Sequence, residues 1–197
     1  RRLGFEIIFK HNLVKESQPL PGRIKPLFNV DQKKIGVSPF AQYSYKVYDL
    51  DKMRQILQSL SDKGYNLFVF GGSEEERAIA EKWQDKIHNV RSLIKQCSLS
   101  EELAVISNLD VLLSMDSSGM HLASLVGIPV VSVWGPTHPF AGFLGYGQSL
   151  DDCLQVDDPA RPTSVYGNKP CLCGDVPCIN LIAPEQIVNR IEETLGK

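Results

Sequence analysis

Asp116-Ser117-Ser118-Gly119, with His121 just beyond, is the segment best equipped for chemistry. The apolar run Leu112-Leu113 leads into it, and Met120 to Val126 carries helical spacing after it, so it reads as strand, tight turn and helix start. Amides at a helix start lack intrahelical acceptors, and the dipole makes that end positive. A phosphate is therefore favoured there. Ser117 and Ser118 add hydroxyl donors, and the small side chains up to Gly119 let a pyrophosphate come close to the backbone. The same residue types also cap helices, and an Asp116 or Ser117 cap is an equal reading of this segment taken alone. His121 is open between ligand and core.

The surrounding elements must place that turn. Residues 1–30 read as a connector, because Pro19, Pro21, Gly22 and Pro26 oppose regular helix. Apolar strands follow at Ile35–Val37, Leu67–Phe70, Val111–Leu113 and Val130–Val133, with a weaker one at Val90–Leu93. Between them lie helical patterns. Met53, Ile56, Leu57 and Leu60 lie on one face and end at Asp62-Lys63-Gly64; a second helix starts near Glu74; a third opens at Ser100 and runs to about Asn108. Ala183-Pro184 precedes the last, with Ile187, Ile191 and Leu195 spaced four apart. Strands alternating with helices predict an α/β, Rossmann-like parallel sheet of about six strands with helices on both faces. The loops after its strands share one rim, where such sheets bind ligands.

Composition narrows the function. A formal charge of −2 gives no global field for nucleic acid. No apolar run reaches the roughly 18–20 residues that span a bilayer, and Glu6 and Lys10 interrupt the stretch around Ile7-Ile8-Phe9. Five cysteines, of which Cys171, Cys173 and Cys178 cluster, do not match common zinc spacing and read as reduced thiols packed as small hydrophobes. No Gly-x-Gly-x-x-Gly follows a strand, which argues against a dinucleotide dehydrogenase.

A second loop on the same rim adds specificity: Gly127-Ile128-Pro129, the strand Val130–Val133, then Trp134-Gly135-Pro136-Thr137. Together with Asp116-Ser117-Ser118 and His121-Leu122-Ala123, in that order and spacing, it resembles glycosyltransferase family 9, the ADP-heptose:lipopolysaccharide heptosyltransferases and their relatives. The resemblance covers most of residues 34–150. It implies the C-terminal half of a GT-B enzyme: residues 31–197 as the nucleotide-sugar-binding domain, 1–30 as the inter-domain connector, and the acceptor domain with its general base missing from this chain. The implied reaction is inverting transfer of a heptose or related sugar from a nucleoside-diphosphate sugar, ADP-heptose in the best-known members, to a lipopolysaccharide core acceptor.

By the same resemblance, Ser38 meets phosphate at the end of the first strand, and Lys46 contacts the donor's phosphates and stabilises the leaving group. Glu74 holds the ribose. Asp116, Ser117, Ser118, Gly119 and His121 complete the donor site. No metal and no cofactor beyond the donor substrate are called for, and the acceptor is a glycolipid reached through the missing domain. The implied place of work is the cytoplasm, peripheral to the inner face of the inner membrane. Ser118 departs from the family pattern, standing where glycine is usual. Two rivals remain: a nucleotide-binding module without catalysis, and another GT-B enzyme such as a nucleotide-sugar epimerase. The tail from Pro162 to Cys178 resembles an extension in some family members and offers no chemistry of its own.

Overall fold

All five expected strands form, in a computed structural model that describes residues 12–28, 31–173 and 175–197. The stretch around Ile7-Ile8-Phe9 and the expected domain boundary at residue 30 lie outside the described residues. The elements run β1 (Lys34–Ser38), α1 (Leu50–Asp62), β2 (Asn66–Val69), α2 (Glu74–Lys86), β3 (Val90–Ser92), α3 (Leu99–Ile106), β4 (Val111–Met115), α4 (Ser118–Leu125), β5 (Val130–Val133), β6 (Cys153–Leu154), β7 (Leu172–Cys173), β8 (Val176–Pro177) and α5 (Pro184–Leu195). Strands β1 to β6 form one parallel sheet in the order β3-β2-β1-β4-β5-β6, and β7 and β8 pair separately as an antiparallel ribbon. In register, Ile35 lies between Leu67 and Val111, and Leu113 lies beside Val131.

Period-two alternation in the strands sends side chains to both faces, and each face is buried under helices. Leu67, Val69, Val111, Leu113, Val131 and Val133 meet Met53, Ile56, Leu57 and Leu60 of α1, Trp83 of α2, and Ile187 and Ile191 of α5. Phe68, Leu112 and Val130 face the other way, against Val105 and Ile106 of α3 and Met120 and Ala123 of α4. Asp49 caps α1 by accepting from the Lys52 amide at 2.9 Å. Gly64, at φ +84°, follows that helix in the left-handed conformation expected of it.

Three details differ from the sequence expectations. The third helix opens at Ser98 rather than Ser100, because Ser98 and Glu101 form a reciprocal capping box. The sixth strand is only Cys153–Leu154, too short to carry a periodic signal. The connector is not a loose tether. Lys15 Nζ donates to Leu109 O at 2.6 Å, Arg23 forks onto Glu101 at 2.6 and 2.8 Å, Ile24 is buried, and Phe28 stacks on Phe68 with centroids 4.4 Å apart. It carries a 3-10 turn at Lys25–Leu27, begun over Pro26.

Candidate functional site

A cleft of about 710 Å³ opens over the C-terminal ends of β1, β2 and β4, on the rim where the topology puts ligands. β1 contributes Ser38 and the loop through Phe40, Ala41 and Gln42 to Lys46; β2 feeds Phe70, Gly71, Gly72 and Ser73; β4 feeds Asp116, Ser117, Ser118 and Gly119. Glu76 of α2, Leu99 and Glu102 of α3, His121 and Leu122 of α4, and Phe143 complete the lining.

The structure brings most of the sequence-derived candidates together. Lys46 Nζ stands 3.0 Å from Asp116 Oδ2, which also accepts the Thr137 hydroxyl at 2.7 Å. Both carboxylate contacts are withdrawn from water: Asp116 and Thr137 are buried, and the Lys46 side chain is 14% exposed. Asp116 is therefore occupied by the lysine and the threonine rather than by capping. Ser117 sits at the N-cap of α4 but its side chain makes no cap bond; it lies 3.3 Å from the Ser114 hydroxyl. With no side-chain acceptor on its first turn, α4 presents amides and the positive end of its dipole to the cleft, beside a lysine.

Gly119 seats that helix. A Cβ there would lie 2.3 Å from Ser38 Oγ and 2.7 Å from Ser38 Cβ, so only glycine lets the first turn of α4 rest on the end of β1. Ser38 is buried by the contact, and its hydroxyl is next to the helix start. Ser118, exposed on the lining, keeps its hydroxyl at the position where the family pattern has glycine. His121 is likewise exposed on the cleft side, which resolves its orientation in favour of the cavity over the core.

Glu74 is not brought to this cavity. As the first residue of α2 its carboxylate is 67% exposed and pairs with Arg77 at 3.6 Å, one turn on. The glutamate of α2 that reaches the lining is Glu76, and its Oε2 is held by the Gly72 and Ser73 amides at 2.6 and 3.1 Å. In return the Ser73 hydroxyl accepts from the Glu76 amide, a capping box that fixes the β2–α2 turn.

Glu102 was not singled out by sequence, since the second glutamate of a helix start looks like solvated charge. It lines the cleft half-buried, and burial raises its pKa above the ordinary glutamate value. Arg161 was also invisible. Its guanidinium donates to Gly135 O at 2.6 Å and Thr137 O at 2.8 Å, and also to Val156 O, so it holds the turn that carries Thr137.

Comparison with known proteins meets this geometry from another side. Lipopolysaccharide heptosyltransferase 1 of Pseudomonas aeruginosa is 24% identical over 153 residues, covering 72% of this chain and 42% of the relative. Among solved structures, Escherichia coli ADP-heptose lps heptosyltransferase II superposes with a TM-score of 0.67 at 18% identity, over 90% of this chain and 52% of that one. The E. coli heptosyltransferase WaaC with ADP-2-deoxy-2-fluoro heptose gives 0.64 at 19%, over 88% and 45%. The chain thus spans about half the length of the proteins it matches. The family model described as glycosyltransferase family 9 (heptosyltransferase) matches residues 10–169. That range takes in β1 to β6 and every residue lining the cleft, and the chain belongs to glycosyltransferase family 9.

Proposed function

We propose that this chain is the donor-binding half of an inverting glycosyltransferase that moves a heptose from ADP-heptose to a lipopolysaccharide core acceptor. The observation that carries the reading is the Lys46–Asp116 pair at the mouth of the uncapped α4 start. In this reading the diphosphate lies over Ser38, Ser117, Ser118 and Gly119, and the nucleoside extends across β1 toward Gly71–Ser73, Leu99 and Glu102 on the β2 and β3 side. Two solved neighbours, E. coli heptosyltransferase WaaC with ADP-2-deoxy-2-fluoro heptose and with ADP, support the choice of adenine nucleotide.

The chemistry follows from the charges. When an acceptor hydroxyl attacks the anomeric carbon, the bond to the diphosphate breaks and negative charge gathers on the departing phosphate oxygen. A half-desiccated ammonium and a helix dipole already aimed there stabilise that charge without reorganising. Asp116, itself held by the Thr137 hydroxyl, keeps the ammonium in place, and no cofactor beyond the donor is invoked. The carboxylate that deprotonates the acceptor belongs, in this reading, to the acceptor domain of the whole enzyme. Among the described residues no helix is long and apolar enough to cross a membrane. A cytoplasmic, peripheral enzyme that meets a glycolipid at the inner membrane fits the reading.

Calorimetric titration of ADP, UDP and GDP tests it. Saturable binding with ADP preferred, weakened at least tenfold in Lys46→Ala, is expected. Equal or absent binding of all three, or indifference to Lys46→Ala, overturns it.

A further inference from the structure

The segment after β6 has no chemistry in sequence, yet it reaches Lys46. Arg161 pins its start to the Gly135–Thr137 turn, and the Thr163 and Ser164 amides both donate to Pro136 O, at 3.0 and 3.3 Å. The Ser164 hydroxyl then gathers the next turn: it accepts from the Gly167 and Asn168 amides at 3.0 and 3.2 Å and donates to Asn168 Oδ1 at 2.7 Å. Gly167 is at the tip, buried, with φ +77°. A Cβ at that position would lie 2.2 Å from Lys46 Cδ and 2.6 Å from Lys46 Cγ.

The glycine backbone therefore rests on the aliphatic stem of the lysine whose ammonium is bound to Asp116. A lysine stem left free samples many rotamers, most of which carry the ammonium away from its partner. Covering the stem removes those rotamers before any ligand arrives, and only a residue without a side chain can come that close. The turn's hydrogen bonds run to Pro136, beside Thr137, so the cover and the Asp116 partner are fixed to one frame.

We propose that Gly167 is a positioning residue, which clamps the Lys46 stem so that its ammonium is presented to the donor's diphosphate, and that Arg161 anchors the clamp. The proposal rests on the reading of Lys46 as a phosphate-binding group.

The test is a double-mutant cycle read by ADP calorimetry on wild type, Gly167→Ala, Lys46→Ala and the double variant, with thermal melting to confirm folding. Gly167→Ala is expected to weaken ADP about tenfold. The double variant is expected to bind no worse than Lys46→Ala, because the shortened side chain leaves room for the added methyl. A merely structural role would make the two losses multiply, and that result, or a Gly167→Ala protein that binds ADP like wild type, overturns the clamp. Acylation of Lys46 by acetic anhydride, followed by peptide mass mapping, reads the clamp without nucleotide. Labelling should quicken several-fold in Gly167→Ala, and also in Arg161→Gln, which adds no backbone strain should the alanine protein fail to fold. If wild type binds no nucleoside diphosphate, the donor reading fails while the labelling still decides the clamp: unchanged rates in both variants overturn it.

Discussion

Lys46 Nζ and Asp116 Oδ2 meet at 3.0 Å with only 14% and 5% of their side chains exposed. A pair so placed has lost most of its hydration, so its two members are worth far more together than apart. That asymmetry gives the first prediction. Lys46→Met should cost about 3 kcal/mol, the lower end of the range for breaking a buried ion pair, because among the described residues Asp116 keeps only the Thr137 hydroxyl. Adding Asp116→Asn should return part of the stability and none of the ADP binding. Urea unfolding of the three proteins checks this, and a Lys46→Met protein as stable as wild type would show the pair to be effectively solvated.

Gly119 predicts a steric rescue. Gly119→Ala drives a methyl into Ser38 and should cost about 1–3 kcal/mol, as overpacking does, while pushing the α4 start away from the cleft. Ser38→Gly removes both atoms named in the closest clashes, so the double variant should melt nearer to wild type than Gly119→Ala does. Melting temperatures that fall further in the double variant would exclude this packing account.

Glu102 predicts a pH dependence of stability. Burial raises its folded-state pKa, so the folded protein favours the protonated carboxyl. This contribution is fully present below the unfolded value of about 4.3 and is lost as pH rises through the folded value. Glutamine cannot ionise. Glu102→Gln should therefore be more stable than wild type at pH 7, with the advantage fading as the pH falls through the raised folded value and gone below about 4.3. Thermal melts across that range measure it, and an advantage that grows on acidification would reverse the sign.

Tyr48 serves as a control away from the cleft. Its hydroxyl donates to Ile182 O at 2.6 Å between α1 and the approach to α5, and burial, followed by the charges of Asp49 and Glu185, pushes its pKa up to about 12. Tyr48→Phe leaves that carbonyl unpaired and should cost about 1–2 kcal/mol. ADP affinity, measured by the same calorimetry, should not change.

Sequence made the sheet legible because its strands are buried on both faces and read as continuous apolar runs, Leu67–Phe70 and Val130–Val133 above all. It missed Cys153–Leu154 because two residues between Asp152 and Gln155 carry no period. In the site, residues at helix starts and strand ends were recognisable: Ser38, Asp116, Ser117, Ser118, Gly119 and His121 all reach the cleft. What escaped were roles created by contacts distant in sequence. Nothing around Arg161 or Gly167 announces Thr137 or Lys46 as its neighbour, and nothing in a run of three glutamates tells which will be held by the turn before it.

The order in which these contacts become available also matters during synthesis. Lys46 leaves the ribosome before Asp116 and Thr137, and Gly167 follows them. β1, too, must wait for β4 before it can be a central strand. Until those residues emerge, Lys46 is an ordinary flexible lysine on an unfinished edge, with neither partner nor cover. The growing chain therefore cannot acquire a finished cleft piecemeal: that cleft matures only once the segment through Gly167 closes over residues made well before it.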